Sequence, residues 1–149
     1  MKNFSEHTDA RVRKAFEVAQ KVHAGQVDKA GVDYINHPLT VANSVGENIS
    51  AIIVALLHDT VEDSAKTFDE LQKEIPLTAE ELQALKLLTH DKKIPYLEYV
   101  AQIKSNSLAA KVKAADLKHN SDLSRLKNPT AKDFERVEKY RLALKILGS

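Results

Sequence analysis

Apolar side chains recur at three- and four-residue intervals along most of the chain, and alternating strand-like runs are absent. Val12, Ala15, Phe16, Ala19 and Val22 predict a first helix over residues 8–24, stopped by Gly25. Residues 26–38 read as a loop, with Gly31 and Asp33 as turn formers. A second helix is expected after Pro38, carrying Leu39, Val41, Ala42 and Val45, until Gly46 and Asn48 break the pattern. Ser50 is placed to cap a third helix. Its run Ala51-Ile52-Ile53-Val54-Ala55-Leu56-Leu57 has no polar face, so it must be buried on all sides. No second strand candidate exists to pair with it, and a central helix is the expected form.

Further along, residues 68–73 form a short helix, and Thr78 with Glu81 makes a capping box for a helix through Leu88. Residues 95–103 and 107–119 are two more helices. Thr130 with Asp133 caps the last, whose apolar side carries Phe134, Val137, Leu144 and Leu147. The expectation is an all-α protein with residues 1–149 as one domain, since no repeat, low-complexity stretch or linker divides them.

Charge and composition narrow the function. The formal net charge is +1, so no basic footprint for duplex nucleic acid exists. Cysteine is absent, which removes disulfides, thiolate chemistry and zinc fingers. The apolar run at 51–57 is far too short to cross a bilayer, and residues 1–9 lack the apolar core of a signal peptide. A cytoplasmic protein is expected.

Directly after the buried run stands His58-Asp59-Thr60-Val61-Glu62-Asp63. Four ionisable groups at the end of an apolar helix are costly unless something compensates them. Either they dissolve in solvent at a helix end, or a divalent cation holds them. If the helix continues, Glu62 and Asp63 project from the same faces as His58 and Asp59, four residues earlier. Two other segments bear on the choice. Tyr34-Ile35-Asn36-His37-Pro38 places a histidine just before a helix. Lys113-Ala114-Ala115-Asp116 places an aspartate behind two alanines, small enough to let its helix approach another closely.

In this order the segments resemble the HD superfamily pattern of a first His, a central His-Asp pair and a distant Asp. The likeness is closer to the hydrolase domain of the Rel/SpoT alarmone enzymes, especially their small stand-alone relatives. It runs from about residue 15 to 140 and includes His23-Ala24-Gly25-Gln26, residues 113–120, and Arg136-Val137-Glu138-Lys139-Tyr140. The resemblance implies an HD-domain helical bundle around the central helix. It also implies one divalent metal, usually manganese, held by His37, His58, Asp59 and Asp116. Glu62 and Asp63 would orient a metal-bound water and accept its proton. Lys29, Tyr34, Lys92, Asn120, Arg136 and Tyr140 would line a pocket for a small phosphorylated nucleotide.

The implied activity is guanosine 3′,5′-bis(diphosphate) 3′-pyrophosphohydrolase. A phosphatase for another nucleotide (the 2′-phosphate of NADPH or a nucleoside monophosphate) and a non-catalytic metal- or nucleotide-binding domain are the alternatives. Asp28-Lys29 stands where the family usually has a basic pair, and Asp33 where it usually has proline. A carboxylate at position 28 is expected to repel a polyphosphate or to remove a base-stacking contact.

Overall fold

The computed structural model describes residues 1–149 and contains eight α-helices with one short 3-10 turn. They are α1 (Ala10–Val22), α2 (Asn36–Asn43), α3 (Ile49–Leu57), α4 (Phe68–Glu74), α5 (Ala79–Leu88), α6 (Tyr96–Ile103), α7 (Ser107–Asn120) and α8 (Ala131–Leu147). The all-α expectation holds. The β-structure is a single antiparallel bridge between Val27 and Asp33, which folds the 26–34 loop back on itself. Gly25 and Gly31 supply the left-handed turns that enter and reverse this loop, at φ of 81° and 80°.

Every residue from Ala51 onward in α3 is buried. The helix packs against α1, α2, α5 and α7, which cover its whole circumference. That surround is why the run carries no polar face. Truncating a residue such as Ile53 to alanine here typically costs about 2–5 kcal/mol. α7 is the second central element and packs against α2, α3, α5, α6 and α8. Ala109 and Ala114 are buried on it, and these small side chains permit the close approach.

Both predicted capping boxes form, at Thr78–Glu81 and Thr130–Asp133, and a third opens α4 at Thr67–Glu70. Several local expectations need correction. Asn48, not Ser50, caps α3: its side chain accepts from the Ala51 amide, and Ser50 lies inside the first turn. The Ser50 hydroxyl instead donates to Glu81 at 2.6 Å. Glu81 is fully buried and also takes both arms of Arg11, at 2.6 and 3.2 Å, so one carboxylate ties α1, α3 and α5 together. α2 begins at Asn36, so Pro38 sits inside its first turn, where a missing N–H costs nothing. Phe134 is exposed, because α8 buries the face of Val137 and Ala143 instead.

Candidate active site

α3 ends at Leu57, and residues 58–63 leave it through successive turns instead of continuing the helix. One amide bond, Asp63 N–H to the Asp59 carbonyl at 3.0 Å, restores a single helical turn and keeps Asp63 near Asp59. His58 donates from Nδ1 to the Ala55 carbonyl at 2.6 Å, which aims Nε2 away from its own helix. His37, in the first turn of α2, brings its Nε2 within 3.3 Å of that atom. Asp59 Oδ2 lies 3.2 Å from His58 Nε2 and 3.6 Å from His37 Nε2. Asp116 reaches in from the middle of α7, its Oδ1 at 2.8 Å from His37 Nε2 and 3.5 Å from His58 Nε2.

These separations bear on whether an ion fits. Donor atoms about 2.0–2.2 Å from a first-row metal lie roughly 3.0–3.5 Å from one another in octahedral or tetrahedral geometry. The spacings of 3.2–3.6 Å among His37, His58 and Asp59 suit that arrangement, and Asp116 stands 2.8 and 3.5 Å from the two imidazoles. His37, His58 and Asp59 form the compact donor group, all within 4.8 Å of one another. Asp116 extends it from α7 while also bonding to Lys113 Nζ at 2.9 Å and Asn120 Nδ2 at 3.0 Å.

The electrostatics point the same way. Burial pushes the His58 imidazole down, but the Asp59 and Asp116 carboxylates outweigh it and hold it well above its ordinary value. Burial likewise raises Asp59, yet the adjacent His58 brings it down to about 2. Lys113 meets only Asp116, so the two carboxylates call for further positive charge between them. The His58 imidazole, held well above its ordinary value, supplies part of it by binding a proton; a divalent ion would supply it directly.

Above this cluster lies a cavity of about 220 Å³, lined by Tyr34, Glu62, Asp63, His90, Tyr96, Tyr99, Lys113, Asn120 and Tyr140 along with His58, Asp59 and Asp116. Asp63 is raised to about 6, by burial first and then by Asp59 and Glu62. Glu62 is held differently: its Oε1 accepts the His90 amide at 2.5 Å. A second cavity of about 330 Å³ adjoins the first, sharing Tyr34, Asn120 and Tyr140 as common walls. Lys29, Asp28, Arg125 and Arg136 line it.

Of the nucleotide-pocket residues expected from sequence, Lys29, Tyr34, Asn120, Arg136 and Tyr140 thus come together. Lys92 does not. It is exposed in the turn before α6 and lines neither cavity, because His90, pinned to Glu62 and to the Ile94 carbonyl, occupies the wall there. Tyr34 and Asn120 are also tied inward: the Tyr34 hydroxyl donates to Asp59 at 2.6 Å, as Asn120 does to Asp116. They orient the carboxylates as well as forming the shared wall.

Asp28 departs from expectation. Its Oδ1 accepts the Ala30 and Val32 amides at 2.8 and 3.0 Å, and its Oδ2 meets Arg125 at 3.1 Å. Its charge is met within the protein, so it is not a bare anion facing the cavity.

Sequence reasoning passed over Lys113, His119 and Arg125. Lys113 is nearly enclosed, with Nζ at 5.3 and 5.6 Å from the ring centres of Tyr99 and Tyr96. The three-residue spacing to Asp116 was the available signal. His119 stacks on His37, with its Nδ1 at 2.7 Å from His37 Nδ1. A larger cavity, about 730 Å³, lies along α7 beside Lys104, Lys111 and Lys118, where neither Asp59 nor Asp116 reaches.

Residues 15–141 match the HD domain family. The chain belongs to that family. Among its relatives, this HD domain is 38% identical over 144 residues to mouse MESH1, named a guanosine-3′,5′-bis(diphosphate) 3′-pyrophosphohydrolase, covering 88% of this chain and 79% of that protein. It is 48% identical over 66 residues to a probable GTP pyrophosphokinase of Mycobacterium leprae, covering 42% of this chain. That match spans only 8% of the much longer mycobacterial protein. A solved structure of a metazoan SpoT orthologue, described as hydrolysing ppGpp, shares the fold of this HD domain with a TM-score of 0.75. It is 24% identical and covers 95% of this chain and 85% of that one.

Proposed function

We propose that the protein is a metal-dependent nucleotide phosphohydrolase that removes the 3′-diphosphate from guanosine 3′,5′-bis(diphosphate). The observation that carries this reading is the compact donor group of His37, His58 and Asp59, with Asp116 beside both imidazoles, under a cavity that shares three walls with a second one carrying Lys29, Arg125 and Arg136. The name of the mouse relative supports the choice of substrate.

His37, His58, Asp59 and Asp116 hold the metal in this reading; imidazole with carboxylate suits a first-row divalent ion, and manganese is the one the family resemblance implies. A divalent ion held there would supply a water of lowered pKa and polarise a phosphoryl oxygen. Asp63 takes the proton from that water, since a carboxyl poised near 6 is a base at neutral pH that is not too weak to act. Glu62, fixed by the His90 amide, holds the geometry of the turn that carries Asp63. The water oxygen forms the new bond to the 3′-phosphorus as the bond to the ribose 3′-oxygen breaks. The proton taken by Asp63 returns to the departing ribose 3′-oxygen, directly or through solvent, and pyrophosphate and guanosine 5′-diphosphate leave. The outer cavity takes the rest of the nucleotide, with Lys29 and Arg136 on its wall and Tyr34 and Tyr140 at its mouth. The cytoplasm is the proposed compartment, in keeping with a chain that has no cysteine to oxidise.

The test is a phosphate- and pyrophosphate-release screen over a nucleotide panel with manganese present. Pyrophosphate from guanosine 3′,5′-bis(diphosphate), lost on chelation, is the expected result. Monophosphate release from NADPH or a nucleoside monophosphate, with the alarmone untouched, would replace this substrate and keep the metal site. No release from any nucleotide would leave a binding domain.

A further inference from the structure

Arg125 lies in the short turn after α7, five residues beyond Asn120 and outside the segments that suggested a nucleotide pocket. It lines the outer cavity together with Asp28, Lys29, Tyr34, Arg136 and Tyr140. Its guanidinium is held by its edges. One terminal nitrogen meets Asp28 Oδ2 at 3.1 Å, and the other donates to the His119 carbonyl at 3.4 Å. The remaining edge atom, Nε, is buried without a partner, so that edge is turned into the protein.

Hydrogen bonds to a guanidinium lie in its plane. With a bond on each terminal nitrogen and Nε buried, the side chain keeps 31% of its surface open beside the cavity it lines. Asp28 is itself rigidly placed by the Ala30 and Val32 amides and so acts as a fixed clamp. An arginine whose charge is met by a carboxylate at its edge is a poor phosphate clamp, because a phosphate needs the same edge. Its planar face remains suited to stacking against an aromatic ring.

We infer that Arg125, clamped by Asp28, is the shelf on which the purine base of the substrate stacks. The exchange explains how the chain carries an aspartate at position 28: the cation comes from the far side of the cavity, and the aspartate positions it. This inference rests on the hydrolase reading for the identity of the substrate, but not for the existence of the shelf.

Two measurements on the full chain separate the two claims. The first is steady-state pyrophosphate release from guanosine 3′,5′-bis(diphosphate) with manganese. Arg125→Ala is expected to raise KM about tenfold with kcat within roughly threefold, the size of one lost base stack. Arg125→Lys keeps the charge but loses the plane, and is expected to be nearly as impaired. Asp28→Asn keeps the plane but loosens it, and is expected to raise KM about threefold. The ratio of variant to wild-type KM should hold between low and high salt, since stacking is not screened.

The second is calorimetric titration of the manganese-loaded protein with guanosine diphosphate and, separately, with pyrophosphate. Arg125→Ala is expected to weaken the nucleotide about tenfold and to leave pyrophosphate unchanged. Full recovery in Arg125→Lys, a KM ratio that collapses at high salt, or unchanged nucleotide binding in Arg125→Ala would overturn the shelf. A wild type that does not hydrolyse the alarmone, yet loses nucleotide affinity in Arg125→Ala, would overturn the activity and keep the shelf. Thermal melting of each variant checks that it is folded.

Discussion

The inner and outer cavities share the side chains of Tyr34, Asn120 and Tyr140 but handle charge in opposite ways. Around the inner one, His37, His58 and Asp116 are each about 5% exposed or less and are carried by helices or a helix end. Two carboxylates there crowd two imidazoles; Lys113 meets Asp116 at 2.9 Å, but Asp59 has no lysine or arginine partner and leans on the His58 imidazole or on an ion. Around the outer one, the two arginines are paired within the chain, while Lys29 has no carboxylate partner. Arg125 meets Asp28 at 3.1 Å, and Arg136 meets Asp133 at 2.6 Å within α8. The excess of acid sits where chemistry is proposed; the paired arginines sit where shape and stacking are proposed to do the recognising.

The sharpest way to break this contrast is His58→Ala. It should lose bound manganese and alarmone hydrolysis together while keeping its helical circular dichroism. Unchanged metal content by elemental analysis would remove the metal from the inner cavity.

Asp63→Asn comes next. It should retain the metal and slow turnover by about a hundred- to ten-thousand-fold, the usual weight of a general base. Glu62→Gln should cost less, because Glu62 braces the His90 amide and its amide oxygen can still accept that bond. Equal, full activity in both variants would move the base elsewhere.

A smaller effect concerns stability. Adding manganese to metal-stripped protein at a hundred times its Kd should stabilise the fold by about 2.7 kcal/mol, or roughly 5–10 °C in melting temperature. The outer-cavity variant Arg125→Ala should respond equally, and a melting temperature blind to manganese would contradict the inner site.

The smallest effect is at Asp28. Asp28→Asn should destabilise by less than about 1 kcal/mol at pH 7, since the pair with Arg125 is partly open to water. Burial raises the Asp28 carboxyl, but the Val32 and Ala30 amides and Arg125 more than offset it, leaving it below its usual value. Its contribution is therefore present above the unfolded pKa of about 3.9 and fades as pH falls through the lower folded value. Denaturant midpoints of wild type and variant should converge in that acid range. A gap that widens on acidification would show that Asp28 is not held as an anion.

Legibility differed between the two cavities for a physical reason. The inner donors sit beside features that periodicity exposes: His58 and Asp59 follow a run with no polar face, and Asp116 lies behind alanines on a close-packed helix. A helix buried on all sides can end in ionisable groups only if they are compensated, so the string at 58–63 stood out. Arg125 offered no such cue. One arginine in a polar stretch reads as solvated, and its partner is 97 residues away. Lys92 shows the converse error, since a lysine in a polar loop gave no sign of which way the turn would face it.

What the sequence by itself determined was local and periodic: all eight helical segments in order, the capping boxes at Thr78 and Thr130, the buried central run, and the chemistry-bearing residues at its end. Those follow from 3.6-residue spacing and from side chains bonding the nearest amides, which involve only a few neighbouring positions. Only the tertiary structure decided what meets across the chain. It ended α3 at Leu57, brought His37 and Asp116 to within 3.3 and 3.5 Å of His58 Nε2, and brought Arg125 to Asp28. Such pairs depend on how α7 and the 26–34 loop are packed against the rest, and no spacing along the sequence encodes that distance.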